Sequence, residues 1–169
     1  MLTILTGVWI PITVDSDDEY VYGYMDWSLE PFPAKITVEF KTNMHPETSD
    51  AMLYFELNFY SGQDYIGALE VEYDSSSVEY YIGRCSTKWT DIPVKLLSDT
   101  ENLWQLTLDR TSGIRLAIHV NDVKVMDELL SDCNNNEWKD RWTKDMTRMN
   151  VYYDYIETDS SFRVLIPGN

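Results

Sequence analysis

Between positions 104 and 126 apolar and polar residues alternate with a period of two, and no other property of the chain limits its fold as strongly. Trp104, Leu106 and Leu108 take one parity, Gln105, Thr107 and Asp109 the other. After Thr111-Ser112-Gly113, the residues Ile114, Leu116, Ile118 and Val120 share a face opposite Arg115, Ala117 and His119. Asn121-Asp122 then fits a two-residue hairpin turn, because Asn and Asp tolerate positive φ. The chain returns through Val123, Lys124, Val125 and Met126. Such alternation places every second side chain against a core and the others in water, which predicts a three-stranded antiparallel meander.

The same grammar extends over the rest of the chain. Positions 35–42 put Ile36, Val38 and Phe40 opposite Lys35, Thr37, Glu39 and Lys41, and positions 51–60 put Leu53, Phe55, Leu57 and Phe59 on one face. Positions 65–73 and 78–85, separated by Asp74-Ser75-Ser76-Ser77, read as a hairpin. Further strands are predicted at 2–12, 20–24, 147–155 and 161–166, with a Pro-bounded bend at 30–33. Asn134-Asn135-Asn136 interrupts the pattern, and 137–144 is predicted as a short helix with Trp138 and Trp142 at i, i+4 spacing. The expectation is an all-β, two-sheet antiparallel jelly-roll sandwich with one short helical segment near 137–144, built as a single domain over 1–169. Tyrosine and tryptophan, 12 and 6 in 169 residues, fit such pleated, half-buried surfaces.

Charge narrows the partners. Thirteen Lys and Arg stand against 29 Asp and Glu, a net charge of −16. A surface this acidic repels phosphate backbones and anionic headgroups, so nucleic acid and membrane insertion are not expected. It suits a cationic partner, Ca²⁺, or solubility alone. The apolar stretch 2–12 lacks a basic leader and is broken by Trp9 and Pro11, so it reads as a strand and not as a signal peptide or a span. Two cysteines, Cys85 and Cys133, lie outside any zinc-type spacing. A disulfide and two reduced thiols both remain open, with the bridge preferred because both sit beside strand ends. Secretion, with a leader absent from this sequence, is the expected localisation, although no Asn-x-Ser/Thr acceptor occurs.

The run from Trp104 through Arg110, Gly113 and the alternating aliphatics to Asn121-Asp122 resembles the core of laminin-G-like and concanavalin-A-like jelly rolls. From Tyr65 onward the layout is also similar to the domain named for farnesoic acid O-methyltransferase. The segment Cys133, Trp138, Trp142, Asp145-Met146 resembles stretches of uncharacterised secreted proteins of marine invertebrates. The resemblance implies a jelly roll and covers roughly the last two-thirds of the chain. It does not carry residues across. The paired Asp/Asn metal motif of legume-type lectins is missing, and the Glu-x-Asp-x-x-Glu strand of glycosidases on this fold is not matched by Glu70-Val71-Glu72.

Candidate sites follow from residue chemistry. Sugar faces stack on aromatic rings while Asp, Asn and Arg take hydroxyls, which points to Tyr22, Tyr24, Trp27, Trp89, Trp138 and Trp142 as ligand-binding residues. The alternative for each ring is core or rim packing. Asp15, Asp17, Asp18 and Glu19 offer oxygens for Ca²⁺ but lack the Gly-punctuated loop of a dedicated site. Asp132, Asn134, Asn135, Asn136 and Glu137 form a second oxygen-rich segment. Glu70, Glu72 and Asp74 share a strand face and offer the paired carboxylates of a glycosidase. A solvated outer face is the preferred reading there, because Leu69, Val71 and Tyr73 supply the buried side. His45 and His119 lie in no nucleophile motif. The reading favours a non-catalytic, lectin-like module that binds carbohydrate. A protein-binding or adhesion module, and an enzyme on the same fold, are its rivals.

Overall fold

A computed structural model of the protein describes residues 7–11, 21–28, 30–43, 52–74, 77–82, 92–93, 100–130, 136–156 and 160–166. Along the described chain run β1 (Ile10–Pro11), β2 (Val21–Ser28), β3 (Lys35–Asn43), β4 (Met52–Ser61), β5 (Asp64–Asp74) and β6 (Ser77–Ile82). They are followed by β7 (Ile92–Pro93), β8 (Glu101–Asp109), β9 (Arg115–Val120), β10 (Val123–Leu129), the helix α1 (Asn136–Trp142), β11 (Arg148–Ile156) and β12 (Ser161–Leu165). The strands form two antiparallel six-stranded sheets, ordered β1-β12-β3-β8-β9-β10 and β2-β11-β4-β5-β6-β7. This is the all-β sandwich that the alternation predicts.

The meander over β8, β9 and β10 forms as expected, and Leu116 and Ile118 are fully buried. Asn121 and Asp122 have φ of 51° and 64°, the left-handed pair that a tight hairpin between right-twisted strands requires. Asn121 is fixed there by its side chain, which accepts from the Leu103 amide at 2.9 Å and donates to Asn102 Oδ1 at 2.9 Å. The hairpin of β5 and β6 is also present. Of the strand predicted at 2–12, the described residues contain the two-residue β1, which pairs with β12.

The two layers meet through rings. Phe40 of β3 stacks on Phe55 of β4 with centroids 4.2 Å apart, and Trp104 of β8 packs on Phe55 at 5.3 Å and on Tyr73 at 5.9 Å. All four are buried. The buried indole of Trp104 has a partner for its N–H, since Nε1 donates to Thr42 Oγ1 at 3.1 Å. At the sheet ends the Tyr80 hydroxyl on β6 donates to Glu128 on β10, tying the layers by a second kind of contact.

The short helix lies where the sequence places it, and its Trp142 closes one end of the core. Trp142 is fully buried, 5.5 Å from the ring of Phe59 and against the bare backbone of Gly67. On the outer side of the first sheet, Glu39 is 3% exposed and accepts from Arg163 Nε at 2.5 Å and Gln105 Nε2 at 2.8 Å. Trp9 lies beside this pair, with Arg163 and Lys41 stacked on its ring at 4.4 and 4.5 Å. Among the described residues no helix is long and apolar enough to cross a membrane.

Candidate functional site

Because β4 directs Leu53, Phe55, Leu57 and Phe59 inward, it must direct Tyr54, Glu56, Asn58 and Tyr60 outward. The neighbouring strands continue the pattern in register. Glu56 lies opposite Tyr152 of β11 on one side and Glu70 of β5 on the other. Asn58 lies opposite Asn150, which is opposite Asp26 of β2. Tyr60 lies opposite Arg148, and Tyr54 lies between Asp154 and Glu72. The outer face of the second sheet is thus a continuous platform of tyrosine, carboxylate and amide side chains.

Its centre is one phenol between two carboxylates. The Tyr54 hydroxyl lies 3.2 Å from Glu70 Oε2 and 3.4 Å from Glu56 Oε2. Directly opposed residues on adjacent strands have Cβ atoms roughly 5 Å apart, so the two charges stand side by side. Partial burial raises the pKa of Glu56, against the opposing effect of hydrogen bonds from Asn58 and Tyr54. Burial first, and then the charge of Glu56, raises that of Glu70. Tyr54 is driven well above the ordinary phenol range by burial and by both carboxylates, so it remains a proton donor.

Around this centre the rings are held in fixed attitudes. Tyr54 and Tyr152 meet edge to face at 5.8 Å, and Tyr60 meets Tyr65 likewise at 5.6 Å. Tyr152 donates to Asp154 at 3.1 Å. An amide ladder crosses the lower part of the face: Asn58 Nδ2 donates to Asn150 Oδ1 at 3.5 Å and Asn150 Nδ2 to Asp26 Oδ1 at 3.2 Å. The Arg148 guanidinium lies over the Tyr60 ring, 4.1 Å from its centroid. Edge-to-face rings with interleaved acceptors and amides are suited to a ligand with apolar C–H faces and many hydroxyls.

The sequence-predicted residues are only partly gathered here. Tyr24 pairs in register with Tyr152, at the edge of the platform, whereas Trp27 pairs with the buried Met149 and so has the opposite parity. Tyr22 lies on β2. The side chains of Tyr22, Tyr24, Trp27 and Trp138 are outside the described residues. Trp142 corrects the expectation: its ring is enclosed between Phe59 and Gly67 and offers no face to a ligand. Glu70 and Glu72 lie on the outer face, as the parity of β5 requires. The carboxylate beside Glu70 is Glu56 on the next strand, not only its neighbour along the same one. His119 is half-buried on β9, in the other sheet.

Trp89, His45, Asp132, Asn134, Asn135, Cys85, Cys133 and the cluster Asp15, Asp17, Asp18 and Glu19 lie outside the described residues, as does the side chain of Asp74. Among the described residues no group of three or more His, Cys, Asp and Glu side chains is placed to hold a metal ion. Sequence reasoning missed Tyr54, Glu56, Asn58, Asn150 and Tyr152. A signal was present: once one parity of β4 is assigned to the core, the other parity reads Tyr, Glu, Asn, Tyr.

No family model and no curated protein matches the chain by sequence, and the finer resemblance to the farnesoic acid O-methyltransferase domain is not confirmed. Solved structures do match. The endo-1,3-beta-glucanase from Streptomyces sioyaensis is 14% identical with a TM-score of 0.55, over 86% of this chain and 70% of that one. The carbohydrate recognition domain of Emp46p in its metal-free form is 10% identical with a TM-score of 0.53, over 97% and 98%. Sheep galectin-11, in complex with glycerol, is 13% identical with a TM-score of 0.51, over 85% and 96%. At these identities the likeness is one of fold, and it identifies the two-sheet sandwich as a jelly roll.

Proposed function

We propose that the protein is a lectin-like recognition module that binds carbohydrate on the outer face of β2, β11, β4 and β5. The observation that carries this reading is the row Tyr152, Glu56, Glu70 with Tyr54 above it, where rings and acceptors alternate on a rigid sheet. The rings supply area for sugar C–H faces, and Glu56, Glu70, Asn58 and Asn150 supply partners for hydroxyls. The lectin-like fold of the solved neighbours supports the same reading. A glycan array probed with the wild-type chain and with Y54A and Y152A tests it. Retention on defined glycans, lost in both variants while their circular dichroism is unchanged, is the expected result. An array with no retained glycan ends the proposal.

A second reading rests on the Glu56/Glu70 pair. Two carboxyl groups directly opposed across adjacent strands, with raised pKa values and one phenol within 3.4 Å of an oxygen of each, offer the pair that a retaining glycosidase uses as acid and nucleophile. The fold likeness to a glucanase is compatible with this. Release of reducing ends from a β-glucan, abolished in both E56Q and E70Q, would replace recognition by hydrolysis.

A further inference from the structure

We infer that the glycan taken by this face carries free ammonium groups, as in a chain of non-acetylated hexosamine units. The inference deepens the carbohydrate reading and rests on it. Glu56 and Glu70 are half-buried, stand directly opposite each other, and form no ion pair among the described residues. A neutral sugar laid over them removes more water from two like charges and gives back only hydroxyl hydrogen bonds. That exchange is unfavourable. An ammonium group set between the carboxylates offsets the repulsion and makes charge-assisted hydrogen bonds to both.

The second, independent observation concerns the rings. On the same face the chain seats a cation of its own on a tyrosine, with Arg148 over Tyr60 at 4.1 Å. Tyr54 and Tyr152 meet edge to face at 5.8 Å beside the carboxylate pair, with the Tyr54 hydroxyl 3.2 and 3.4 Å from its oxygens. Tyrosine faces flanking carboxylates attract an ammonium through the ring quadrupole as well as through charge. Arg148 is the one Lys or Arg on the described strands of this face, against Asp26, Glu56, Glu70, Glu72 and Asp154. A uronate chain would meet those carboxylates with charge of the same sign. The net charge of −16 draws a cationic polymer from a distance but does not choose its orientation.

The test is calorimetric titration of the full chain at about pH 6, where a primary amine is protonated. The probes are a glucosamine hexamer, an N-acetylglucosamine hexamer, a uronate oligomer of equal length, and a lysine hexamer. The glucosamine hexamer is expected to bind at least about ten-fold more tightly than its acetylated counterpart. In E56Q and E70Q that ratio should fall toward one, with circular dichroism unchanged from wild type to show that the variants are folded. Equal or tighter binding of the acetylated or uronate probe overturns the ammonium inference and leaves carbohydrate recognition standing. Equal binding of the lysine hexamer assigns the effect to bulk charge and overturns it too. Binding of none of the three sugars overturns the recognition reading itself.

Discussion

Glu56 and Glu70 are direct register partners on adjacent strands and share the hydroxyl of a single tyrosine, Tyr54. Each has a pKa raised above the ordinary 4.5 in the folded protein. A carboxyl group raised in this way contributes stability that is complete below the unfolded value and is lost as pH rises through the folded value. At neutral pH the pair is therefore a liability, and the E56Q variant should unfold at a higher temperature than wild type. Like charges opposed across strands cost about 0.2–1 kcal/mol, which sets the size of the gain. Thermal unfolding followed from pH 7 down to about pH 4.5 should show the gap closing.

Asp109 and Asp127 behave in the opposite sense. Hydrogen bonds from Thr111 hold Asp109 below its usual pKa, and the hydrogen bond from Arg115, with Lys124 beside it, does so for Asp127. Their contribution is present above the unfolded value of 3.8 and disappears as pH falls through the lower folded values. In D127N the acid limb of the stability profile should be shallower than in wild type, with no gain at neutral pH.

Gly67 has no room for a side chain. A Cβ there would fall 2.6 Å from two ring carbons of Trp142, which is enclosed and cannot swing away. G67A is expected to destabilise the fold by about 1–3 kcal/mol in chemical denaturation, the usual range for overpacking. Combining it with W142L removes the obstruction. The double variant should then cost less than the sum of the two single changes, and strict additivity would refute the contact.

The hairpin between β9 and β10 separates two roles that its sequence writes in similar residues. Asp122 only has to accept a φ of 64°, so D122G should be neutral or stabilising by a few tenths of a kcal/mol. Asn121 also bonds the buried Asn102 and the Leu103 amide, so N121G should cost about 1–3 kcal/mol. Urea midpoints of the two variants make the comparison, and equal values would contradict it.

Glu39 is buried and depends on Arg163. R163M leaves the carboxylate with Gln105 alone and should cost about 2–3 kcal/mol, less than the ~3–5 kcal/mol of a fully buried pair because Arg163 is partly solvated. Adding E39Q removes the stranded charge and should recover most of that loss.

The sheet architecture was legible because its signal is local. The inward residues of β3, β4, β8 and β9 repeat every second position, and that parity alone separates Leu116 and Ile118 from Arg115 and Ala117. The helix was legible from its Asn-rich start and tryptophan spacing, but the direction of Trp142 was not. Its burial depends on Gly67, 75 positions earlier, and no local pattern reports that one glycine leaves room for one indole. The candidate site was hidden for a related reason. Glu56, Glu70 and Tyr152 become neighbours only through the strand order β11-β4-β5, so reading Glu70 along its own strand led to Glu72 and Asp74 and passed over the residue across the ladder.

That strand order also governs how the protein can be made. β11 inserts between β2 and β4, and β12 between β1 and β3, so an interior strand of each layer follows the other described strands in chain order. A nascent chain halted before Arg148 is not a smaller sandwich. It holds unpaired edges at β2, β3 and β4 beside rows of phenylalanine and leucine, the conditions for aggregation. Closure of both layers is one late event built from contacts distant in sequence, and refolding on the millisecond-to-second scale of such topologies is the pace to expect.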